Sequence, residues 1–519
     1  FFLEQLKINF VPRIFPVAVL LLSSSISLAA DWPQAAGPNG DFAVDAVGPA
    51  KFSVTHDQNI RWRVPLPNTG QGTPVVKNGH VFVLSHAPVK EDTKLGSLTV
   101  GQCFDAESGK ELWRKDIIGY RVTDLSSLFS DNTAASAVAT DDLVAFVNVG
   151  GQIAVFDHNG KLQWDHHWVP FGRHHARQHE PMLHGHNLIV LKTVKKELPQ
   201  IATTKSGAKE YGRSKDVWTH LHAFDLQDGS VNWVAETGTG VHSTSILQTI
   251  DGKAVIATGR GGGHQPPEEP YGVSLIDADT GHAIWNSEIA GYQAHQNVIF
   301  NELGVHVIKG FEHSLLSLKD GQTVQFPISL AKGVTITAVN GSQYQTKHDQ
   351  VFEKPRKPIT YQTNIVLGDY NLFLSHKPGF IGRININTGD VEYLQVPVQV
   401  IRRANAQDEI LWNDSRPNDM KNSSGFVVSQ DKRNAGSGWG HVSAPSPIAV
   451  GDKVYFPTMI GIVYVLKWDA NVFDKDALLS VSDLGPATET WTLSSLSFAS
   501  GCIYARTLKE LICIEPKSN

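Results

Sequence analysis

A short pattern decides the fold of this chain, and its first clear copy reads CFDAESGKELW at residues 103–113. An apolar run ends in Asp, a turn with Gly follows, and the next apolar run carries Trp. Three further copies read VFDHNGKLQW at 155–164, AFDLQDGSVNW at 223–233 and LIDADTGHAIW at 275–285. A degraded copy, ININTGDVEY at 384–393, has Tyr in the place of Trp. One unit recurring along a chain is the signature of a repeat architecture.

Each residue type in the pattern has a physical role in a β-hairpin. Asp at a strand end accepts hydrogen bonds from turn amides, Gly takes a positive φ, and Trp returns on the next strand to pack between sheets. The pattern therefore predicts structural residues rather than a substrate platform. They are Asp105, Gly109, Trp113, Asp157, Gly160, Trp164, Asp225, Gly229, Trp233, Asp277, Gly281 and Trp285.

Two more apolar runs joined by a Gly or Asp turn stand ahead of each copy, so each repeat predicts a four-stranded antiparallel meander. One such sheet cannot bury both faces by itself, and successive sheets must stack around an axis. The prediction is an all-β, eight-bladed β-propeller. The blades begin near Gly72, Thr133, His179, His242, His295, Gln362, His441 and Trp491.

The last repeat shows three strands before the sequence ends, and residues 59–66, which carry the pattern residue Trp62, precede the first repeat. We expect this amino-terminal strand to complete the last blade and close the ring, because closure removes an open sheet edge. Three polar, turn-rich insertions interrupt the repeats at 194–217, 331–360 and 401–440. Loops of this kind are where members of one fold differ in function.

Residues 1–30 are typical of an export signal. Lys7 and Arg13 precede the apolar run IFPVAVLLL at 14–22, and small residues at 27–30 form a cleavage site. The alternative, a membrane anchor, needs about 20 apolar residues, and this run is much shorter. The sequence predicts a signal peptide at 1–30, one propeller domain at 31–519 without a membrane span, and an exported, periplasmic or secreted protein.

Charge and cysteine content exclude some classes of protein. The 45 basic and 51 acidic residues give a net charge of −6 without a basic run, so nucleic acid is excluded as a partner. Three cysteines, Cys103, Cys502 and Cys513, are too few for a disulfide framework. Cys502 and Cys513 flank a predicted hairpin and either pair after export or stay buried thiols. We expect a monomer.

The repeat D-x-x-x-G-x-x-x-W resembles that of the pyrroloquinoline-quinone-like (PQQ-like) β-propeller proteins, in the quinoprotein alcohol dehydrogenase-like superfamily. The opening DWPQ at 31–34, with GPNG at 37–40, resembles secreted members common in planctomycete-type bacteria. The resemblance covers almost all of the chain after residue 30. It implies the propeller fold but not one function, since the superfamily includes quinoprotein dehydrogenases, outer-membrane assembly scaffolds and propellers of unknown role.

The resemblance also implies what a quinone site would look like. A quinoprotein alcohol dehydrogenase holds its quinone between a Trp and, in many members, a disulfide of adjacent cysteines, with Ca²⁺ and an Asp base beside it. This sequence has no adjacent cysteines, and no Asp with Asn or Glu set can be matched residue by residue. The sequence does not support a PQQ site and leaves a bound metal ion open.

The histidines are the sequence feature that points to a function beyond the fold. Eight of the 22 histidines lie in the segment 158–186, at 158, 166, 167, 174, 175, 179, 184 and 186. Histidine is a common metal ligand. The adjacent pairs 166–167 and 174–175 point to opposite faces of a strand, so one ion cannot bind them all. The other interpretation is a solvated loop segment.

A second set of histidines stands at equivalent positions in four repeats. His179, His242, His295 and His441 stand just before the innermost strand of four repeats, with Glu180 and Asn297 beside two of them. Innermost strands line the axis of a propeller, so these side chains are candidates for a metal or anionic-ligand site at the mouth of an axial channel. The alternative is that they cap strand ends and bind water.

The function favoured by the sequence is a non-catalytic binding or scaffold protein that acts through its loop face or axial channel mouth on a protein or polysaccharide. The alternative is a metal- or quinone-dependent oxidoreductase with a histidine-lined site. No nucleophile-elbow or zinc-protease motif is present, so hydrolysis has no support.

Overall fold

A computed structural model describes most of the chain after residue 30. The described residues are 31–66, 70, 72–87, 98–119, 135–170, 179–195, 217–240, 244–260, 270–292, 297–353, 359–361, 364–403, 406–421, 427 and 445–516. The predicted signal segment lies outside them. Within the described residues, no helix is long and apolar enough to cross a membrane.

Two strands precede the first blade, and the first four blades follow in chain order with four strands each. The leading strands are β1 (Ala43–Val44) and β2 (Ile60–Pro65). Blade 1 is β3 (Val75–Lys77), β4 (His80–His86), β5 (Leu98–Asp105) and β6 (Glu111–Ile118), and blade 2 is β7 (Val138–Ala139), β8 (Leu143–Asn148), β9 (Gln152–Asp157) and β10 (Leu162–His167). Blade 3 is β11 (Met182–His184), β12 (Asn187–Lys195), β13 (Val217–Asp225) and β14 (Val231–Val234), and blade 4 is β15 (Ile246–Ile250), β16 (Lys253–Arg260), β17 (Gly272–Asp277) and β18 (Ala283–Glu288).

The remaining four blades complete the ring. Blade 5 is β19 (Phe300–Asn301), β20 (Gly304–Lys309), β21 (Glu312–Leu316) and β22 (Ile328–Ser329). The hairpin β23 (Lys332–Asn340) and β24 (Gln343–Val351) follows, and blade 6 is β25 (Asn364–Leu367), β26 (Tyr370–Leu374), β27 (Phe380–Asn385) and β28 (Val391–Gln395). After the pair β29 (Gln399–Ile401) and β30 (Glu409–Leu411), blade 7 is β31 (Ile448–Val450), β32 (Lys453–Pro457), β33 (Ile462–Lys467) and β34 (Leu478–Asp483), with a 3-10 helix at Lys475–Ala477. Blade 8 has β35 (Ser497–Ala499), β36 (Cys502–Arg506) and β37 (Glu510–Ile514).

The predicted all-β, eight-bladed propeller of four-stranded antiparallel blades is confirmed. The amino-terminal strand closes the ring as predicted, because β2 pairs antiparallel with β37 as the outer strand of blade 8, with Trp62 opposite Cys513. Burial follows strand position. The middle strands are almost entirely buried, whereas residues 111–116 of the outer strand β6 alternate between partly exposed and exposed. Apolar strands therefore form the layers between blades, and polar residues face solvent at the rim.

Within the described ranges, two sheets have more than four strands. The hairpin β23–β24, within the insertion 331–360, adds parallel to the outer strand β28 and makes blade 6 a six-stranded sheet. Strand β1 pairs parallel with β31 and makes blade 7 five-stranded. The tyrosine hydroxyl of Tyr344 on β24 donates to the carbonyl oxygen of Gln395 over 2.9 Å, which attaches the hairpin to blade 6.

The repeat pattern joins blade 8 to blade 1 and each of blades 1 to 4 to the next. The indole of Trp113 in blade 1 lies against Gly160 of blade 2, and its Nε1 donates to the carbonyl oxygen of His158 over 2.8 Å. A side-chain Cβ on that glycine would lie 3.0 Å from the ring. The same contact joins Trp62 to Gly109, Trp164 to Gly229, Trp233 to Gly281 and Trp285 to Gly321.

The Asp of the pattern holds the turn that presents this glycine. The Asp157 carboxylate accepts from the amides of Asn159 and Lys161, both at 2.9 Å, and Gly160 has φ of 81°. The same type of bond forms at Asp105, Asp225 and Asp277. These bonds stabilise a left-handed glycine, and the absence of a side chain there lets the ring approach.

All three cysteines are free thiols and buried. Cys502 on β36 and Cys513 on β37 lie on neighbouring strands of the closing blade.

Candidate functional site

Polar residues stand just before, or at the start of, the innermost strands of all eight blades, where the blades converge on the axis. We call this set the axial belt. Its members are Gly72 and Thr73, Ser136, His179 and Glu180, Thr244 and Ser245, Asn297, Asn364, Ser446, and Ser494 and Ser495. The innermost strands that follow are mostly apolar and are packed between sheets.

The first part of the belt joins blades 1, 2 and 3. The Thr73 amide donates to the Ser136 hydroxyl over 2.7 Å. The Ser136 amide donates to the Glu180 carboxylate oxygen Oε2 over 2.5 Å. The predicted candidate Glu180 is therefore an acceptor for the neighbouring blade.

The next part joins blades 3 and 4. The Nε2 atom of buried His179 lies 3.2 Å from the hydroxyl of Ser245, which is also 2.7 Å from the hydroxyl of Thr258. Burial lowers the pKa of His179 to about 3, so its imidazole is neutral at physiological pH.

Asn297 is the central residue of the belt, and it contacts blades 6 and 7. Asn297 and Asn364 exchange three bonds of 3.1 to 3.2 Å between their side chains and backbones. The Asn297 Nδ2 group also donates to the Ser446 hydroxyl over 3.2 Å. Thr244 pairs with Asn297 in an isolated parallel bridge, which adds blade 4.

The last links close the belt. The Ser446 amide donates to the hydroxyl of Ser495 over 2.8 Å, and the Ser494 hydroxyl donates to the carbonyl oxygen of Gly72 over 3.1 Å. Hydrogen bonds thus run from blade to blade around the axis. The candidates His179, Glu180 and Asn297 are brought into one circumferential structure, although each contacts a neighbouring blade rather than the other two in the described bonds.

The other three histidines of the predicted ring, His242, His295 and His441, lie outside the described residues. Their convergence on the axis stays a prediction. Among the residues that the structure describes, no group of three or more His, Cys, Asp or Glu side chains is arranged to hold a metal ion.

The His-rich segment 158–186 is distributed over separate contacts. His158 packs against His80, while His184 lies 2.7 Å from Asp279 of blade 4. His167 lies 3.0 Å from Asp165, and His166 points to the opposite face of β10. His174 and His175 lie outside the described residues.

Glu180 is the one acidic side chain of the belt within the described residues. Burial raises its pKa to about 7, and this effect exceeds the opposite effect of its hydrogen bonds from Ser136. The carboxyl group is therefore partly protonated near neutral pH. Its chemistry is that of a weak acid or base at the axis, beside a neutral imidazole.

The described belt does not fit a quinone cofactor. The several carboxylates of such a quinone need Arg, Lys or metal partners, and the described belt residues are neutral apart from Glu180. The nearby buried guanidinium groups are already bonded. Arg260 donates to the carbonyl oxygens of Pro270 and Ser287, and Arg506 donates to the carbonyl oxygen of Leu84 and the hydroxyl of Ser85.

Sequence reasoning missed a second polar cluster, between blades 2 and 3. Lys192 of β12 is buried, and its ammonium nitrogen Nζ lies 3.1 Å from His166 Nε2. A lysine inside the apolar run 188–194 was the available signal, since lysine is rarely fully buried.

The fold and belt define a class, the repeat propellers in which an Asp-Gly-Trp hairpin joins successive blades. The sequence matches the family model described as outer membrane protein assembly factor BamB over residues 36–180 and 99–304, just over half of the chain in combination. The chain belongs to this family of PQQ-like propellers.

Two solved dehydrogenase structures show the same fold at low identity. Quinohemoprotein alcohol dehydrogenase ADHIIG from Pseudomonas putida HK5 is 11% identical, with a TM-score of 0.52 over 94% of this chain and 81% of that one. A europium-containing methanol dehydrogenase is 11% identical, with a TM-score of 0.50 over 92% and 89%. BamB from Moraxella catarrhalis is 10% identical, with a TM-score of 0.47 over 88% and 99%. No curated protein matches the chain.

Proposed function

We propose that this protein is an exported, non-catalytic propeller that binds a protein partner through its loop-bearing face. The axial belt is the observation that carries the proposal. Its polar groups, including the candidates His179, Glu180 and Asn297, bond neighbouring blades to one another. Side chains used in this way stabilise a ring, which is what a rigid binding platform needs.

The insertions supply a surface for the partner. Tyr344 of the β23–β24 hairpin packs edge to face with Trp412, which lies in the insertion 401–440, at a ring separation of 6.0 Å. Strand β24 is the outermost strand of its six-stranded sheet. Its outer edge offers backbone donors and acceptors of the kind that bind an added strand. The assembly-factor description of the matched family is consistent with a protein partner.

Site-specific photo-crosslinking in the export compartment tests this proposal. A photoreactive residue in place of Lys347 on β24 is compared with one in place of Lys161, at the exposed motif turn of blade 2. We expect a discrete protein adduct from position 347 and none from position 161. Equal, diffuse labelling at both positions would remove the support for a partner on the insertion side.

The second candidate function is a metal- or quinone-dependent oxidoreductase. The specific observation in its favour is the Glu180 carboxyl, whose raised pKa of about 7 suits a general acid or base. Protein incubated with Ca²⁺ and the quinone is analysed for retained metal, quinone absorbance and dye-linked alcohol oxidation. Stoichiometric retention with activity that Glu180→Gln abolishes would replace the binding proposal by the enzyme.

A further inference from the structure

Lys192 lies in a closed cage between blades 2 and 3. Only 1% of the residue is exposed. Its Nζ atom lies 3.1 Å from the Nε2 atom of His166. The same nitrogen is 5.2 Å from the ring centroids of Trp168 and Phe224, which form two apolar walls. The cage belongs neither to the axial belt nor to the insertion surface.

The cage provides no counter-ion within the described part of the chain. Lys192 has no carboxylate partner there, and the side chains that face it are the imidazoles of His166 from β10 and of His220 and His222 from β13. Asp165 points to the opposite face of β10, where it is bonded to His167 and Gln152 at 3.0 and 3.3 Å. An isolated ammonium in such surroundings is strongly disfavoured.

The burial of Lys192 without a counter-ion determines its protonation state. Burial lowers the pKa of Lys192 to about 7, so a substantial share of the amine is neutral and nucleophilic at physiological pH. Burial and the Lys192 charge lower the pKa of His166 to about 4. The neutral imidazole Nε2 therefore accepts a hydrogen bond from the lysine.

Two further polar atoms beside the cage lack partners among the residues that the structure describes. The indole Nε1 of Trp168, a residue only 3% exposed, is a buried donor without an acceptor. His222 is 1% exposed, and its Nδ1 bonds to the carbonyl oxygen of His220 at 2.9 Å, which leaves Nε2 as a buried acceptor without a donor. An unpaired buried polar group is unfavourable, so a group that offers both an acceptor and a donor would be stabilised in the cage.

We propose that Lys192 is a carbamylation site that captures carbon dioxide. The neutral Nζ attacks the carbon of CO₂, one N–C bond forms, one C–O π bond becomes the negative charge of a carboxylate, and the amine releases one proton to His166 and then to solvent. The product is a carbamate with one N–H donor and two carboxylate oxygens. These groups match the orphaned atoms in kind. They also remove the lysine charge that lowers the pKa of His166 and His222, and the new anion favours the protonated imidazoles.

Carbon dioxide suits the cage better than a larger electrophile. It is small, uncharged and apolar, so it can cross the packed layer between two blades that excludes hydrated anions or sugars. The reaction needs no oxidant or second substrate, and it is reversible when CO₂ is removed. The modification would therefore make the contact between blades 2 and 3 responsive to dissolved CO₂ and bicarbonate.

Carbon-13 NMR of the full chain in ¹³C-bicarbonate tests the proposal. We expect one carbamate carbonyl resonance per chain that Lys192→Met abolishes. Lys377→Met is the matched control, since Lys377 also lies over two rings, at 5.3 and 5.2 Å from Phe352 and Phe380, but is bonded to Glu353 at 3.2 Å. This variant should keep the resonance.

A second measurement is independent of any variant. Trapping of the wild-type protein with an alkyl oxonium reagent, followed by peptide mass spectrometry, should place an alkyl carbamate on Lys192. Absence of both the resonance and the trapped peptide at saturating bicarbonate would overturn the proposal. It would also be overturned if chloride and acetate raised the Tm of the wild type as much as bicarbonate does, because the cage would then bind anions without a covalent step.

Discussion

The contact of one ring with one glycine, repeated from blade to blade, is the smallest unit of this propeller. In blade 4 the Gly281 backbone has φ of 74°, and a Cβ there would lie 2.6 Å from the Trp233 indole of blade 3. Gly281 must therefore satisfy two requirements: its backbone must be left-handed, and it must leave room for the indole ring. Only glycine satisfies both, which explains why the pattern is recognisable in the sequence.

A pair of alanine substitutions separates the two demands. Gly252 has a φ of 76°, close to that of Gly281, but nothing lies within 4 Å of a Cβ built on it. We expect Gly252→Ala to cost about 1 kcal/mol in free energy of unfolding, from the backbone alone. Gly281→Ala should cost about 3 kcal/mol or more, since the ring must also move. Denaturant unfolding measures both, and equal losses would show that the tryptophan contact adds nothing.

The buried Lys192 should make the free energy of unfolding depend on pH. The pKa of Lys192 is about 7 when folded against an ordinary value of 10.5, so between these values the unfolded chain binds more protons. The penalty is full below pH 7 and vanishes as the pH rises through 10.5. In CO₂-free buffer, Lys192→Met should therefore be more stable than the wild type by on the order of 3 kcal/mol at pH 6.5.

Thermal unfolding of the two proteins across this range checks the sign. The advantage of Lys192→Met should shrink steadily from pH 7 to pH 10. An advantage that is constant with pH would mean that packing, rather than the buried charge, causes it.

At the scale of elements, a buried carboxylate is one of the groups that attach the segment ahead of the closing strand to blade 7. Asp483, at the end of β34, accepts from the hydroxyls of Ser53 and Thr55 at 2.5 and 2.7 Å. The guanidinium of Arg402, in the insertion 401–440, lies 3.4 Å from the same carboxylate. With the parallel pairing of β1 to β31, these bonds place residues 43–55 before β2 joins blade 8.

Removal of this carboxylate should loosen the amino-terminal segment. We expect Asp483→Ala to destabilise the protein by about 3 kcal/mol, because the hydroxyls of Ser53 and Thr55 lose their acceptor and Arg402 loses one of its two carboxylate partners. Asp469→Ala is the control, since Asp469 is exposed and its partner Lys467 is 3.9 Å away. Limited proteolysis should cut Asp483→Ala near residue 55 before any other site. Cleavage at the same rate in both variants would contradict the role given to Asp483.

At the scale of the whole molecule, stability depends on closing the ring. The pairing of β2 with β37 joins the strand that precedes blade 1 to the third strand of blade 8, and Trp62 makes the blade-to-blade contact with Gly109 that the pattern makes elsewhere. The axial belt closes the ring of blades at the axis, and the pairing of β2 with β37 closes it at the rim. Without β2, strand β37 would be an unpaired edge of a buried apolar sheet, which favours association.

Truncation tests closure directly. A chain that begins at Pro67 lacks β1 and β2, and we expect it to self-associate or precipitate because of the exposed β37 edge. A chain that begins at Val47 lacks β1 but retains β2, and it should elute as the full chain does. Size-exclusion chromatography with light scattering compares them. An unchanged elution of the shorter chain would show that the ring closes without its amino-terminal strand.

The repeat could be found from the sequence because its physics is local. Asp, Gly and Trp each meet a requirement within about ten residues, and their recurrence gave the eight blades and the closing strand. The copy in blade 5 escaped detection because Ser317 replaces the Asp and no Trp follows, although Gly321 still contacts Trp285. The parallel addition of β23 to β28 was also unforeseen, since nothing local determines which strand a long hairpin joins.

The sequence by itself determined the blade, the number of blades and the presence of polar residues at their axial ends. Only the tertiary structure decided what those residues do. Asn297 and Ser446, which are 149 positions apart, bond because the ring closes. Lys192 and His166 meet because two sheets stack face to face. A hairpin is determined by residues that are neighbours in the sequence, whereas a contact between blades depends on the rotation of every sheet around the axis.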